Sequence, residues 1–218
     1  MISIQLASIM KTLLVKRIDS SFYAFKKSLR TWLRITADMS KVFEANRVII
    51  APELKVKDLQ AKDMELDEII EYALNKGYDV NDILYEADAF QPVFMDMLQN
   101  DKAVLERLNK EWEQEEDDPK FELFRQKLEN EFLKQEINPA GKLVLFSESV
   151  DTLTYLKERM TSELGRTDVL MVTASNRSHL GQTIKENFDA NYPCDSRKYN
   201  IIITSDVLAE GVNLHRSN

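Results

Sequence analysis

The residues best suited to chemistry lie near the end of the chain, in residues 199–217 (YNIIITSDVLAEGVNLHRS). Residues 201–203 form a short apolar run, and Thr204, Ser205 and Asp206 follow it directly. Ligands of open α/β sheets bind at the carboxyl ends of the strands. If the apolar run is a strand, two hydroxyls and a carboxylate lie at the edge of the sheet where ligands bind.

Two further residues of this segment could contact a ligand. Gly211 lacks a Cβ, so its backbone can approach a phosphate or a ribose closely. Asn213 offers amide donors and a carbonyl acceptor beside it. A strand end followed by a polar turn fits the same spacing, because short polar motifs recur by chance. The spacing alone leaves both interpretations open.

The elements that position these residues follow Gly141. Short apolar runs at residues 142–146, Val169–Val172 and residues 201–203 alternate with two amphipathic helical patterns. Continuous apolar runs between helices are typical of a parallel sheet that is buried on both faces. The predicted fold class is therefore α/β, with a helical N-terminal region followed by a partial three-layer α/β lobe.

The residues before position 139 predict helices and no strand. From Ile4 to Leu33, apolar side chains recur at steps of three and four, which is the spacing of one helix face. Ser20 and Ser21 are candidates to cap a second helix, because a serine oxygen can accept a bond from a free backbone N–H. A further helical stripe ends at Gly77, where a left-handed C-terminal residue is expected.

Charge is segregated along the chain, whose formal net charge is −8. Residues 1–60 hold 11 Lys and Arg against 5 Asp and Glu, whereas residues 61–138 hold 9 against 22. Residues 139–218 are nearly balanced, with 9 against 10. A basic segment attracts phosphates and an acidic one repels them, so we expect any nucleic-acid contact to lie outside the middle of the chain.

Cysteine and histidine are too scarce for two classes of site. Cys194 is the single cysteine, and His179 and His215 are the two histidines, which excludes an internal disulfide and a cysteine/histidine metal cage. This usage fits a reducing cytosol, and a cytoplasmic location is expected. Lys11 interrupts the first apolar stretch, so we expect neither a signal peptide nor a membrane-spanning helix.

Several segments together resemble a known family. TSDVLAEGVNLHR, residues 204–216, is similar to motif V of superfamily-2 helicases, in the form of switching/sucrose-nonfermenting-type translocases and the bacterial RNA-polymerase-associated ATPase. KLVLFSESVDTLTYL, residues 142–156, is similar to motif IV of the same RecA-like lobe. Residues 15–29 resemble the inter-lobe segment of the bacterial enzymes, and residues 173–189 fall where the family has the helix between the two motifs.

The resemblance implies a fragment of an ATP-dependent helicase or DNA translocase. Its domains would be a basic helical inter-lobe segment (residues 1–60), an acidic helical insertion (residues 61–140) and a partial second RecA-like lobe (residues 141–218). Ser205 stands where motif V usually has a second threonine, so a hydroxyl is kept and a methyl is lost. The residues implied are Ser147, Thr204 and Ser205 for the nucleic-acid backbone, Asp206 for coupling between the sites, and Glu210, Gly211 and Asn213 for the nucleotide.

Other parts of such a motor are missing from the sequence. It contains no G-x-x-x-x-G-K-[ST] loop for the β and γ phosphates and no D-E-x-H-type element for magnesium. The arginine finger of motif VI is expected beyond Asn218. By the resemblance, ATP and Mg²⁺ belong to the full-length protein, which would supply the missing first RecA-like lobe in cis. We expect no catalytic residue in this chain, no cofactor requirement and no activity of the fragment alone.

The expected partner is nucleic acid, with DNA favoured. Candidates for phosphate contacts are Arg17, Lys26, Lys27, Arg30 and Arg34. The alternative function is a helical protein-interaction module in residues 1–138, within a larger nucleic-acid-associated protein, whose acidic insertion binds a protein partner. The acidic run at residues 111–118 fits such a partner, and it equally fits a solvated helix end.

Overall fold

The structure, a computed structural model, describes residues 2–46, 48–50, 66–193, 196–205, 208, 213–214 and 216. The helices are α1 (Ile2–Ser20), α2 (Phe22–Glu44), α3 (Leu66–Asn75), α4 (Val80–Ile83), α5 (Val93–Glu113), α6 (Pro119–Lys127), α7 (Val150–Ser162) and α8 (Arg177–Phe188). The strands are β1 (Val48–Ile49), β2 (Leu84–Tyr85), β3 (Leu143–Phe146), β4 (Val169–Val172) and β5 (Ile201–Thr204).

The chain divides into two compact units. The sheet unit comprises Met1–Ser28 and Glu113–Asn218, and the helical unit comprises Leu29–Trp112. Each of these units is a set of residues that contact one another more than the rest of the chain. The predicted domains at residues 1–60, 61–140 and 141–218 are instead defined by charge and by the family resemblance. The predicted domain boundaries stay a prediction.

The sheet unit contains the three predicted strands, and they are parallel. β5 lies in the centre, with β3 on one side and β4 on the other, so that Leu143 and Val169 both pair with Ile201. The connections β3–α7–β4 and β4–α8–β5 each place a helix between consecutive strands. The prediction of an α/β fold with three parallel strands is confirmed.

Both faces of this sheet are covered by helices. On one face, Ile201 and Ile203 pack with Leu153 and Met160 of α7, together with the segment that follows α6. On the other face, Ile202 packs with Ile184 and Phe188 of α8. Successive side chains of a strand point to opposite faces, which is why neighbouring isoleucines of β5 enter different cores.

The junction between α1 and α2 is fixed by Ser21. The Ala24 N–H donates to Ser21 Oγ at 3.1 Å, which makes Ser21 the N-cap residue of α2 and confirms the cap predicted there. The same buried hydroxyl lies 2.9 Å from Thr152 Oγ1 at the start of α7. One serine therefore caps α2 and connects the α1–α2 junction to the start of α7, within the sheet unit.

The helical unit contains a strand pair that the sequence did not predict. β1 and β2 are antiparallel, with Val48 opposite Tyr85. Their ladder continues where the Ile50 N–H donates to the Ile83 carbonyl at 2.7 Å. The prediction that residues 1–138 contain no sheet strand is therefore wrong. Two-residue strands are too short to show the alternation by which a strand is recognised.

The core of the helical unit is aromatic. Phe43, Val48 and Leu98 are buried, and Phe90 and Phe94 pack against Phe43 with ring centroids 5.0 Å away in each case. Two residues after the end of α3, Gly77 has a positive φ of 86°, as expected for the left-handed residue that ends this helix. Within the described ranges, no helix combines the length and apolar character needed to cross a membrane.

Replacing Ser21 by alanine is expected to destabilise the protein by about 1–2 kcal/mol, because the cap of α2 and the bond to Thr152 are lost together. The measurement is the free energy of unfolding by urea, followed by circular dichroism. The matched control is Ser162→Ala, which removes an exposed hydroxyl bonded to the Glu158 carbonyl in the last turn of α7. Equal losses in both variants would contradict the role assigned to Ser21.

Candidate functional site

Three of the predicted nucleic-acid residues meet at one edge of the sheet. Phe146, the last residue of β3, pairs with Thr204, the last residue of β5. Just beyond this pair, the Ser147 N–H donates to the Thr204 carbonyl at 3.0 Å. Ser147 and Ser205 therefore leave neighbouring parallel strands at the same carboxyl edge, as the rule for open α/β sheets predicts.

The hydroxyls at this edge differ in their surroundings. The Thr204 side chain is fully buried, and its Oγ1 donates to the Ser205 carbonyl at 3.0 Å. Ser205 is half-buried. The Thr204 hydroxyl thus stabilises the end of β5 in the free protein, whereas Ser205 is the first residue after β5 that water can reach. Contact of either residue with nucleic acid stays a prediction.

The predicted nucleotide-binding residues are described only in part. Asp206, Glu210 and Gly211 lie outside the described residues. Asn213 is exposed, and no hydrogen bond among the described residues joins it to the serines of the carboxyl edge. Its neighbour Leu214 packs against the core under α8. The structure thus brings together the predicted backbone-contacting residues but does not bring Asn213 into contact with them.

The end of the chain is held against α8 by Arg216. Its guanidinium donates to the Glu186 carbonyl at 2.8 Å and to the Tyr192 carbonyl at 3.0 Å. Leu208 is fully buried in the core on the same side of the sheet. Leu208 and Arg216, which lie on either side of Asn213 in the sequence, therefore both contact the part of the sheet unit that contains α8.

Ser147 belongs to a cluster of hydroxyls that sequence reasoning did not find. Ser147 Oγ lies 3.2 Å from Ser20 Oγ and accepts a bond of 3.2 Å from the Ser149 N–H. Ser20 Oγ in turn lies 2.7 Å from Thr152 Oγ1. Ser20 and Ser147 are 127 positions apart in the chain, so no local spacing indicates that they meet. The cluster fixes the Ser147 hydroxyl at the carboxyl edge.

Arg17, Lys26 and Lys27, which are among the predicted phosphate-binding cations, contact other groups of the protein. Arg17 Nη1 donates to Ser149 Oγ at 2.8 Å. Lys27 Nζ donates to Asp151 Oδ1 at 2.7 Å, and this hydrogen bond raises the pKa of Lys27. Lys26 donates to a backbone carbonyl. Because these cations hold α1 and α2 to their neighbours, phosphate contact by them stays a prediction.

A pocket of about 670 Å³ opens beside Ser147. Its wall is built from four segments of the sheet unit: the last turns of α1, the start of α6, the end of β3 and the first turns of α7. A volume of this size lies within the range of roughly 300–1,000 Å³ that is typical of small-molecule sites. Sequence reasoning missed this pocket, because α1 lies more than 95 residues before α6 and more than 120 residues before the end of β3 in the chain.

A part-buried network connects α6 and α7 at the wall of the pocket. Asp118 accepts bonds from the Tyr155 hydroxyl at 2.7 Å and from the Phe121 N–H at 3.0 Å. Arg159 Nη1 donates to the same Tyr155 oxygen at 2.7 Å, and its guanidinium lies 3.9 Å from the centre of the Phe121 ring. Both oxygens of Asp118 are thus occupied. Burial raises the pKa of Tyr155 to about 12.

Tyr155 is expected to keep its proton to about pH 12 in the folded protein, whereas an unfolded tyrosine ionises near 10. Between these values the folded state binds more protons than the unfolded state, so this residue makes stability fall as pH rises through the window. The tyrosinate absorbance of the wild type minus that of Tyr155→Phe should therefore titrate near pH 12. A midpoint near 10 would mean that the hydroxyl is solvated and the network absent.

Comparisons with protein-family models, with curated proteins and with solved structures gave no match. The resemblance to superfamily-2 helicases therefore stays a prediction from the sequence.

Proposed function

We propose that this chain is part of an ATP-dependent superfamily-2 helicase or DNA translocase, comprising inter-lobe helices and the first part of a second RecA-like lobe. Its role would be to contact the nucleic-acid backbone and to form part of the ATP site between two lobes. The observation that carries the proposal is the adjacency of β3 and β5. The segments that resemble motifs IV and V are far apart in sequence, yet Ser147 and Thr204 share a hydrogen bond of 3.0 Å.

The chemistry of this edge suits a nucleic-acid backbone. A hydroxyl can donate to a phosphate oxygen, and Ser147 and Ser205 directly follow the neighbouring strands β3 and β5. Contacts of this kind position a strand without reading its bases. A motor that moves along any sequence needs such contacts, which supports a translocase over a sequence-specific binding protein.

The nucleotide role rests on a smaller set of observations. Asn213 is exposed, so its amide is accessible to a ribose. In the proposed full-length motor, bound ATP and Mg²⁺ supply the transferable phosphoryl group and the charge that stabilises its transfer. This chain would contribute Asn213, with Glu210 and Gly211 beside it in sequence, while the phosphate loop would come from the first lobe.

Removing the Ser205 hydroxyl should weaken nucleic-acid binding about two- to tenfold, the usual effect of losing one neutral hydrogen bond. The measurement is fluorescence anisotropy of a labelled single-stranded oligonucleotide, as DNA and as RNA, titrated with the 218-residue chain and with Ser205→Ala. Ser162→Ala is the matched control, because α7 returns against the strand direction and ends at the opposite edge. The proposal would be refuted if the chain bound neither the DNA nor the RNA oligonucleotide. It would also be refuted if Ser205→Ala and Ser162→Ala lost the same amount of affinity.

The purified chain should release no phosphate from ATP above the buffer background, with or without an oligonucleotide, because its sequence has no phosphate loop. A steady-state phosphate-release assay tests this directly. Turnover of about 1 per second, at the low end of phosphoryl-transfer enzymes, would mean that these 218 residues hold a complete catalytic site.

A further inference from the structure

Phe146 is a solvent-exposed aromatic residue at the carboxyl edge of the sheet. Its side chain is 55% exposed and forms part of the wall of the pocket beside Ser147. At the same level of the sheet, Thr204 and Val172 are fully buried. Of these three residues, Phe146 is the one whose side chain is accessible to a ligand.

The rest of this wall is largely apolar. Leu145, Leu156 and Phe124 line the pocket, and so does Leu13, which is 48% exposed. Covering such side chains is favourable by roughly 25 cal/mol for each Å² of apolar surface removed from water. The wall therefore favours an occupant that is flat or apolar along most of its surface.

The charges around the pocket balance one another. The lining residues that carry charge are Lys16, Arg17, Lys120, Asp19, Asp118 and Glu148. Arg17 is bonded to Ser149, Lys120 donates to the Asp19 carbonyl, and Asp118 is saturated by Tyr155 and Phe121. Lys16 and Glu148 face each other at 3.4 Å. With three cations against three carboxylates, a phosphate would find no surplus of positive charge inside.

We propose that this pocket receives an unpaired nucleobase, which stacks on Phe146 while its sugar and phosphate stay outside, beside Ser147. The inference rests on the proposed function and names its substrate class, a single strand of nucleic acid. A neutral, flat base matches an apolar wall without net charge, whereas the phosphates match the hydroxyls of the edge. Aromatic platforms beside a backbone-binding surface are the usual means of holding single strands.

The test compares a labelled single-stranded oligonucleotide with an abasic strand of the same length, both titrated with the 218-residue chain by fluorescence anisotropy. Phe146→Ala should weaken binding of the base-containing strand about 5- to 100-fold, the range for loss of one base–aromatic stack. It should leave binding of the abasic strand unchanged. Phe146→Trp keeps an aromatic plane and should restore the affinity.

The matched control is Leu123→Ala, which removes an apolar side chain of 54% exposure on α6 that does not line this pocket. It should bind both strands like the wild type. Phe146→Leu keeps an apolar side chain of similar volume but has no ring. If Phe146→Ala folds poorly, the leucine variant still shows whether losing the stacking interaction weakens binding. Because stacking involves no counterion release, the loss in Phe146→Leu should be the same factor at low and high salt.

Three results would overturn the inference, and they separate failure of the base pocket from failure of the proposed function. If Phe146→Ala and Phe146→Leu bind both strands like the wild type while Ser205→Ala is weakened, the backbone contact stands and the base pocket is wrong. Equal affinity of the wild type for base-containing and abasic strands leads to the same conclusion. If the chain binds no strand at all, the proposed function fails and the base pocket fails with it.

Discussion

The complete burial of β5 is the constraint on which the sheet unit depends. All four residues Ile201–Thr204 are fully buried, although successive side chains of a strand point to opposite faces. Helices must therefore cover both faces, and β3 and β4 must flank both edges so that every buried backbone group is paired. The central strand can reach solvent only at its ends. Ser205 is the first residue where it does so.

The position of β3 on the outside of the sheet creates the second feature of the site. Among the described residues, no strand pairs with β3 on the side away from β5, and the end of β3 is walled by α1, α6 and α7. Helices have larger diameters than the spacing between strands, and they leave space where three of them meet a strand end. A pocket beside Ser147 is the geometric consequence. The Asp118, Tyr155 and Arg159 network keeps it open by fixing α6 against α7.

Whether a feature of this structure can be predicted from the sequence depends on how far apart in the chain its contacting residues lie. The strands, the intervening helices and the Ser21 cap depend on residues at most a few positions apart, and local periodicity predicts them. Parallel strands also have their carboxyl ends at one edge, so the placement of Ser147 and Thr204 at the same edge could be predicted, whereas their hydrogen bond depends on which strands are neighbours. The order of strands, the Ser20–Ser147 contact and the Lys27–Asp151 pair depend on packing between distant segments, and β1 and β2 are too short for any pattern.

The distribution of charge limits how strongly this chain can hold nucleic acid by itself. The sheet unit carries 18 Lys and Arg against 20 Asp and Glu, and Arg17 and Lys27 are engaged with Ser149 and Asp151. Affinity for DNA comes largely from phosphates neutralised by cations, with release of counterions. A unit without surplus cations has to rely on hydroxyl contacts and stacking, which give weaker and less salt-dependent binding. In the proposed motor, this lack of surplus cations favours an arrangement in which another lobe binds the phosphates electrostatically. The present lobe would then provide hydroxyl and stacking contacts that can form and break as the strand advances.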